Sequence, residues 1–403
     1  MPCIERSHLG FGALAAALAI IACGGCGSGS SPESGQPKGL LDACPELTVV
    51  PQPAGSLGAV VDSVAAKEMK AQGIPGMTVA ISKDGTIFYT QGYGYADLKT
   101  CRPTRADTEF AIGSVTKQFT AAAILQLQSA GTIELDSPLQ SYLPTYRFDP
   151  RISVRMLLNQ TSGLPDYVDF PLPPNWLQGI AQTTILASIA AAPLSFSPGS
   201  AYAYSNSNYY LLGVIIEMVT GESYSGYVIS HILEPAGLTH TSFMQSLTSA
   251  RPYTYTNPAV PGAQGLADGL VPDASVLFAA GALWSNVEDL SKWNAALIGG
   301  QVISPSQLMQ MITPPQSIPV FQQAGANSAY AMGWVRDQIG KHPFVWHNGQ
   351  TLAYTAFNGM FEDDGFSVSI LMNVDVQEST PLQALGYALL EGICGSVATA
   401  ASC

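Results

Sequence analysis

The sequence predicts a mixed α/β protein of the α+β type, with an antiparallel sheet built from N- and C-terminal segments, flanked by helices, and an inserted, mostly helical part. Three observations predict it. A hairpin signal stands early: two strand-like runs, residues 77–82 (MTVAIS) and 86–92 (TIFYTQG), flank the turn Lys83-Asp84-Gly85. Four more strand-like runs, residues 330–336, 343–347, 354–361 and 366–373, crowd the far end, separated by Gly, Asn and Asp turns. The middle reads as helix and loop, with helical spacing over residues 184–191, 208–219, 224–233 and 286–297.

Taken in order, residues 56–72 place Leu57, Val60, Val61, Val64 and Met69 on one face, and Gly73 stops the helix. Residues 110–120 (FAIGSVTKQFT) run from a short apolar lead-in into an alanine-rich helix. There Phe119, Ala122, Ala123, Leu125 and Leu127 keep helical spacing until Ala130-Gly131. Asn286 is placed to cap the helix over 286–297, with Glu288 and Asp289 in its first turn. A last helix is predicted over 381–391. Sheet segments at both ends and helices between them create a cleft where the two parts meet.

With 403 residues, 47% of them apolar, the chain can bury a large core. Charged residues make up 11% and the formal net charge is −13, so no basic face for nucleic acid is expected. Arg6 precedes an apolar run over residues 9–22, too short to span a membrane comfortably and shaped like an export signal. The run ends Ile20-Ile21-Ala22-Cys23, which resembles the lipobox of bacterial lipoproteins, and Cys23 is expected to carry the lipid. Residues 24–39 are rich in Gly, Ser and Pro, as a tether would be. The expected organisation is a signal over 1–22, a tether over 23–39 and a folded domain over 40–403. Within that domain the α/β part takes about 45–110 and 315–395, and the helical part about 111–314. The chain is expected outside the cytoplasm, held to a membrane by the lipid, and monomeric.

Of seven cysteines, Cys3 leaves with the signal and Cys23 carries lipid, so Cys26, Cys44, Cys101, Cys394 and Cys403 remain in an oxidising compartment. The last four allow three connectivities that spacing does not separate; Cys44 with Cys101 and Cys394 with Cys403 is the expected pairing. The five histidines are scattered, none beside a cysteine at zinc-ligand spacing, so neither metal nor other cofactor is expected.

Chemistry concentrates in three places. Ser114 opens the alanine-rich helix, and Lys117, three residues on, falls on the same face within reach of its hydroxyl. Burial favours the neutral amine, which can take the serine proton, and first-turn N–H groups can meet a developing oxyanion. Ser-x-x-Lys alone is a loose pattern. The second place is Tyr204-Ser205-Asn206, on a loop just ahead of a helix, where residues two apart can present a phenol and an amide to one cleft. The third is His347-Asn348-Gly349-Gln350, whose glycine lets a ligand approach the backbone.

The ordered set Ser114-x-x-Lys117, Tyr204-x-Asn206 and His347-x-Gly349 resembles the serine β-lactamase and penicillin-binding protein superfamily, closest to class C β-lactamases and their esterase and D-peptidase relatives. The resemblance runs from about residue 56 to residue 391 and includes residues 73–80, 91–98, 157–164 and 280–290. It implies a β-lactamase/transpeptidase-like fold and an acyl-enzyme route: Ser114 attacks a carbonyl, and Lys117 and Tyr204 share the proton traffic. It implies an oxyanion between the N–H groups of Ser114 and Gln350, Asn206 on the substrate or the lysine, and His347 facing a substrate carboxylate or the tyrosine. Asn348 and Gly349 complete the expected substrate-binding set.

This chain departs from the pattern at three positions. Relatives with strong β-lactam hydrolysis carry lysine where His347 stands, and a neutral imidazole holds a carboxylate less firmly than an ammonium. Gln160 occupies a position where histidine is common, and Ala353 one where glycine is common. Esters, D-amino-acid peptides or β-lactam-like amides are therefore the expected acyl substrates, with turnover of penicillins weak or absent. The competing readings are a lipid-anchored sensor that acylates without turnover and an acyltransferase on the same fold. An α/β-hydrolase is excluded because no Gly-x-Ser-x-Gly surrounds a plausible serine.

Overall fold

Ser56 starts the first helix by accepting a hydrogen bond from the Ala59 N–H at 3.3 Å, and Gly73 ends it in the left-handed region. The computed structural model describes residues 56–256, 265–315, 321–323, 326–339 and 342–376, together with Cys44, Pro45, Leu47 and Pro53. The helices used below, numbered in chain order, are α1 (Leu57–Gln72), α2 (Thr116–Ser129), α3 (Val154–Leu158), α4 (Gln182–Ala191), α5 (Asn206–Thr220), α6 (Tyr224–Val228), α7 (Ala274–Gly281), α8 (Val287–Ile298) and α9 (Pro305–Ile312). The strands are β1 (Gly76–Lys83), β2 (Thr86–Asp97), β3 (Arg102–Pro103), β4 (Phe110–Ala111), β5 (Tyr253–Tyr255), β6 (Leu266–Asp268), β7 (Trp284–Ser285), β8 (Phe321–Gln323), β9 (Ala326–Tyr330), β10 (Val335–Ile339), β11 (His342–Gln350), β12 (Thr355–Met360) and β13 (Phe366–Met372).

Nine strands form one antiparallel sheet in the order β3-β2-β1-β13-β12-β11-β10-β9-β8. The first N-terminal strand therefore pairs with the last described strand, Val79 opposite Ile370, and the sheet joins the two ends of the chain as expected. β1, β12 and β13 are buried at nearly every position, as in a sheet covered on both faces. Helix α2 is buried almost all round, which its continuous run of apolar and small residues permits.

What registers α2 on the sheet is polar. Gln118 Oε1 accepts from Trp293 Nε1 of α8 at 3.1 Å and from Asn358 Nδ2 of β12 at 3.0 Å, and Asn358 Oδ1 accepts from Asn294 Nδ2 and Ser369 Oγ, both at 2.9 Å. These buried hydrogen bonds hold in one relative placement of helix and strand, so they fix where the first turn of α2 stands. Phe119 stacks on Trp293 at 4.1 Å beside it. Cys44 and Cys101 form a disulfide, the expected pairing for these two. Cys394 and Cys403, the helix over 381–391, the export signal, the tether and Cys23 lie outside the described residues.

The run over 330–336 is not one strand. Tyr330 ends β9 and Val335 starts β10, with a turn closed by the Ala331 N–H donating to the Trp334 carbonyl at 2.8 Å. Gly333 turns there at φ 76°, and a Cβ on it would stand 2.6 Å from the Lys117 carbonyl oxygen. A contact with α2, 216 positions earlier by subtraction of residue numbers, thus decides a break that the local pattern of apolar residues hides. Gly333→Ala should lower stability by on the order of 1–3 kcal/mol through the positive φ alone, before the clash is counted. Urea unfolding of the two proteins measures it, and an unchanged midpoint would contradict the contact.

Candidate active site

Strand β4 delivers the chain through Ile112 into a single 3₁₀ turn, Gly113–Val115, directly ahead of α2. Ser114 lies in that turn, 9% exposed, and Lys117 in the first turn of α2 is fully buried. Three oxygens surround the lysine Nζ: Asn206 Oδ1 at 2.7 Å, the Ala280 carbonyl at 2.8 Å and Ser114 Oγ at 3.0 Å. Tyr204 donates its hydroxyl to Ser114 Oγ at 2.7 Å, and Nζ sits 4.8 Å from the centre of the Tyr204 ring. The expected trio of Ser114, Lys117 and Tyr204 therefore converges on one hydroxyl.

Each partner of the lysine comes from a different element. The Ala280 carbonyl is available because α7 breaks at Phe278, whose φ of 43° and ψ of −131° are not helical, and the next two carbonyls turn towards α2. Thr120 Oγ1 donates to the first of them, Ala279, at 2.7 Å. Asn206 is the first residue of α5 rather than a loop residue, and both ends of its amide are used: Oδ1 by Lys117, Nδ2 by Asp166 Oδ2 at 2.8 Å. It thus serves the lysine, one of the two roles expected for it. Gln160, itself buried at φ 64°, holds this segment. Its carbonyl accepts from Ala203 N–H at 3.1 Å, and its Oε1 accepts from Ser205 N–H at 3.1 Å and Asn208 Nδ2 at 2.5 Å.

His347 is 2% exposed, with Nδ1 2.5 Å from the Asn348 carbonyl and Nε2 3.1 Å from the Tyr330 hydroxyl. Nδ1 must be protonated to donate to a carbonyl, which leaves Nε2 to accept from Tyr330. The ring faces a tyrosine, but it is Tyr330, and both nitrogens are engaged inside the protein. Gly349 and Gln350 continue β11 against the 3₁₀ turn: a Cβ on Gly349 would lie 1.9 Å from the Ile112 carbonyl oxygen and 3.1 Å from Ser114 N, so only glycine lets the two backbones meet. The backbone of Gln350 lies equally close to the serine turn, since a Cβ on Gly113 would stand 2.8 Å from Gln350 N. Ala353 packs on Gly269.

A cavity of about 440 Å³ opens beside Ala111, Gly281 and Thr351, chain neighbours or contacts of the serine turn rather than the reacting residues themselves. Among the described residues Asp273 is the charged member of its lining, which holds no lysine, arginine or histidine. No three His, Cys, Asp or Glu side chains converge as a metal site among the described residues.

Burial dominates the electrostatics. Desolvation pulls Lys117 down to about 7, with Asp166 opposing, and pushes Asp166 up to about 6 despite hydrogen bonds from Asn206 and Val168. It holds Tyr204 well above 10 and takes His347 down to about 3. Two groups on one hydroxyl thus have their proton affinities set apart, an amine that can be neutral near pH 7 and a phenol that keeps its proton.

Sequence reading missed Asp166, Tyr330 and the Ala280 carbonyl. Asp166 follows directly on the conspicuous run 157–165, and an acid beside such a run was its only signal; a backbone carbonyl gives none.

An antiparallel sheet joining an early and a late segment of the chain, with a serine–lysine–tyrosine cluster at the helix-sheet boundary, defines a β-lactamase/transpeptidase-type protein. Residues 61–391 match the Beta-lactamase family, and the chain belongs to it. The Bacillus subtilis (strain 168) protein PbpX, which carries the name of a penicillin-binding protein, is 31% identical over 257 residues, 64% of this chain and 61% of its own length. The chain thus spans about three-fifths of that relative's length. Among solved structures, a D-stereospecific amidohydrolase from a Streptomyces species is 27% identical, with a TM-score of 0.71 over 82% of this chain and 98% of that one. A D-amino acid amidase from Ochrobactrum anthropi SV3, in complex with D-phenylalanine, gives the same identity and TM-score over 84% and 98%.

The His347 imidazole should not take up a proton between about pH 5 and pH 8, because a buried, doubly bonded neutral ring has no reason to titrate there. An NMR titration showing the large downfield Cε1–H shift of an imidazolium in that range would contradict its placement.

Proposed function

We propose that the chain hydrolyses acyl donors that carry no carboxylate beside the scissile bond, esters and D-amino-acid amides, through an acyl-enzyme on Ser114. The supporting observation is the bonding at Lys117 Nζ. A neutral amine has two N–H groups and one lone pair; Asn206 Oδ1 and the Ala280 carbonyl can only accept, so the lone pair is left for the Ser114 O–H. Ser114 Oγ attacks the carbonyl carbon as its proton passes to Nζ, and the oxyanion lies between the N–H groups of Ser114 and Gln350. Tyr204 gives its proton to the leaving alcohol or amine as the lysine's new proton replaces it. Water then attacks the acyl-serine by the reverse path and returns the three groups to their starting state.

The restriction to donors without a carboxylate rests on His347, neutral and engaged, and on a cavity lining without cations among the described residues. The amidase-type neighbours agree with D-amino-acid amides as one class. The class C branch is the assignment that the ordered set Ser114-x-x-Lys117, Tyr204-x-Asn206 and His347-x-Gly349 favours.

Acylation by p-nitrophenyl acetate should rise with pH through about 7 and then level, since Lys117 acts as base only when neutral. Ser114→Ala should reduce turnover of esters and D-amino-acid amides by at least about 10³-fold, and a chromogenic cephalosporin should yield at most an adduct by intact mass. Cephalosporin turnover at the ester rate would discard the substrate restriction; neither turnover nor adduct with any ester, amide or cephalosporin would favour a non-acylating binding protein.

We further propose export and lipid anchoring at Cys23, on the strength of the apolar run and the Ile20-Ile21-Ala22-Cys23 segment. Cells expressing the full chain should incorporate labelled palmitate into it, and Cys23→Ser should abolish the label. Retention of label in that variant would refute the assignment.

A further inference from the structure

Asp166 touches none of the reacting groups, yet its side chain is 8% exposed and faces the one amide that holds the lysine. It follows Pro165 and caps the 3₁₀ turn Tyr167–Asp169, with Oδ1 3.3 Å from the Val168 N–H and Oδ2 2.8 Å from Asn206 Nδ2. The amide of Asn206 is symmetric in shape and could turn over. In one orientation its NH₂ meets the carboxylate and its oxygen meets Lys117. In the other, its oxygen meets the carboxylate, acceptor against acceptor, and its NH₂ faces the amine's own N–H groups or competes with the Ser114 O–H for the amine's single lone pair. An ionised carboxylate can only accept, so it selects the first orientation.

We propose that Asp166 is a positioning residue that locks the Asn206 amide oxygen onto Lys117 and so keeps the lysine's lone pair directed at Ser114. The proposal rests on the acyl-enzyme reading above. Its physical content is a relay of fixed polarity, carboxylate to NH₂, amide oxygen to N–H, lone pair to O–H, in which each member leaves the next only one way to bond. Without the carboxylate the amide can turn, its NH₂ competes for the lone pair, and the base loses its aim at the serine.

The same carboxylate also places negative charge near the lysine, which favours its protonated form. The other titratable groups facing the pair are Tyr204 and Tyr209, whose rings lie 4.8 and 5.6 Å from Nζ, His347 from β11, and Tyr167 and Asp169 beside Asp166. Burial holds the three tyrosines protonated and His347 neutral between about pH 5 and pH 9, and Asp169 adds a like charge to Asp166. Removing the Asp166 charge therefore has a defined sign: Lys117 gives up its proton more readily, and the acid limb of the rate profile moves to lower pH.

The test uses the full chain and p-nitrophenyl acetate, comparing wild type, Asp166→Asn, Asp166→Glu, Asn206→Ala and the Asp166→Asn/Asn206→Ala double variant, each with its melting temperature. Asp166→Asn should lower kcat by on the order of 10²-fold with KM within about twofold, and shift the acid limb to lower pH. Asp166→Glu, which keeps an acceptor-only charge, should hold the limb in place and recover part of the rate. The double variant should be no slower than Asn206→Ala alone, because the aspartate acts through that amide.

A folded Asp166→Asn protein with wild-type kcat and an unmoved limb overturns the proposal, as does a limb that moves to higher pH or a double variant whose losses multiply. Should both Asp166 variants fail to fold, Asn206→Ala tests the relay from its other end, and a kcat within about twofold of wild type overturns it. Turnover that survives Ser114→Ala would instead sink the acyl-enzyme reading, a separate outcome from any of these.

Discussion

A lysine amine fully enclosed by protein is the constraint from which the rest of the site follows. Removing an ammonium from water costs several kcal/mol even after relaxation, so a buried lysine is either neutralised or closely surrounded by oxygen. Lys117 has both remedies: burial draws its proton affinity down, and three oxygens complete its hydrogen bonding. A helix break at Phe278 frees one acceptor, the N-terminus of α5 presents another, and the turn ahead of α2 brings the serine. Altering any of these elements changes how the amine is satisfied, which couples the architecture to the chemistry.

That coupling needs α2 to sit at one height on the sheet. The Gln118, Asn294, Asn358, Trp293 and Ser369 network does this at the residue next to the lysine, and the Gly333 turn closes on the Lys117 carbonyl from a strand far along the chain. The backbone approach of Gly349 to Ile112 and Ser114 then places β11 beside the serine. Apolar packing such as Phe119 on Trp293 supplies cohesion, at about 1.5–3 kcal/mol for each large side chain fully buried. The polar contacts decide register, because they are satisfied in a single arrangement while apolar surfaces tolerate sliding.

His347 illustrates how burial changes the meaning of a motif. At the surface of a cleft an imidazole offers a proton or a weak cation to a substrate. Here its two nitrogens are spent on Asn348 and Tyr330, and the ring is a neutral strut behind Tyr204, 6.0 Å between ring centres. The nearby cavity holds Asp273, Gln245 and Thr351 but no lysine, arginine or histidine in its described lining. Gln160 takes up another structural duty, pinning the Ala203–Asn208 segment that carries the tyrosine.

The sequence by itself determined what local spacing controls. The hairpin at Asp84-Gly85, the caps at Ser56 and Asn286, and the pairing of Ser114 with Lys117 all involve residues within a few positions, where periodicity and turn chemistry act directly. The ordered motifs extended this reading to Tyr204, Asn206 and the third motif by family likeness rather than by spacing. Only the tertiary structure decided the partners of those groups. Asp166 meets Asn206 across 40 positions and Ala280 meets Lys117 across 163, and the break at residues 331–334 depends on a helix near residue 117. No local pattern encodes such contacts, because a carbonyl looks alike at every residue and an aspartate gains its role only when folding removes water and sets an amide against it.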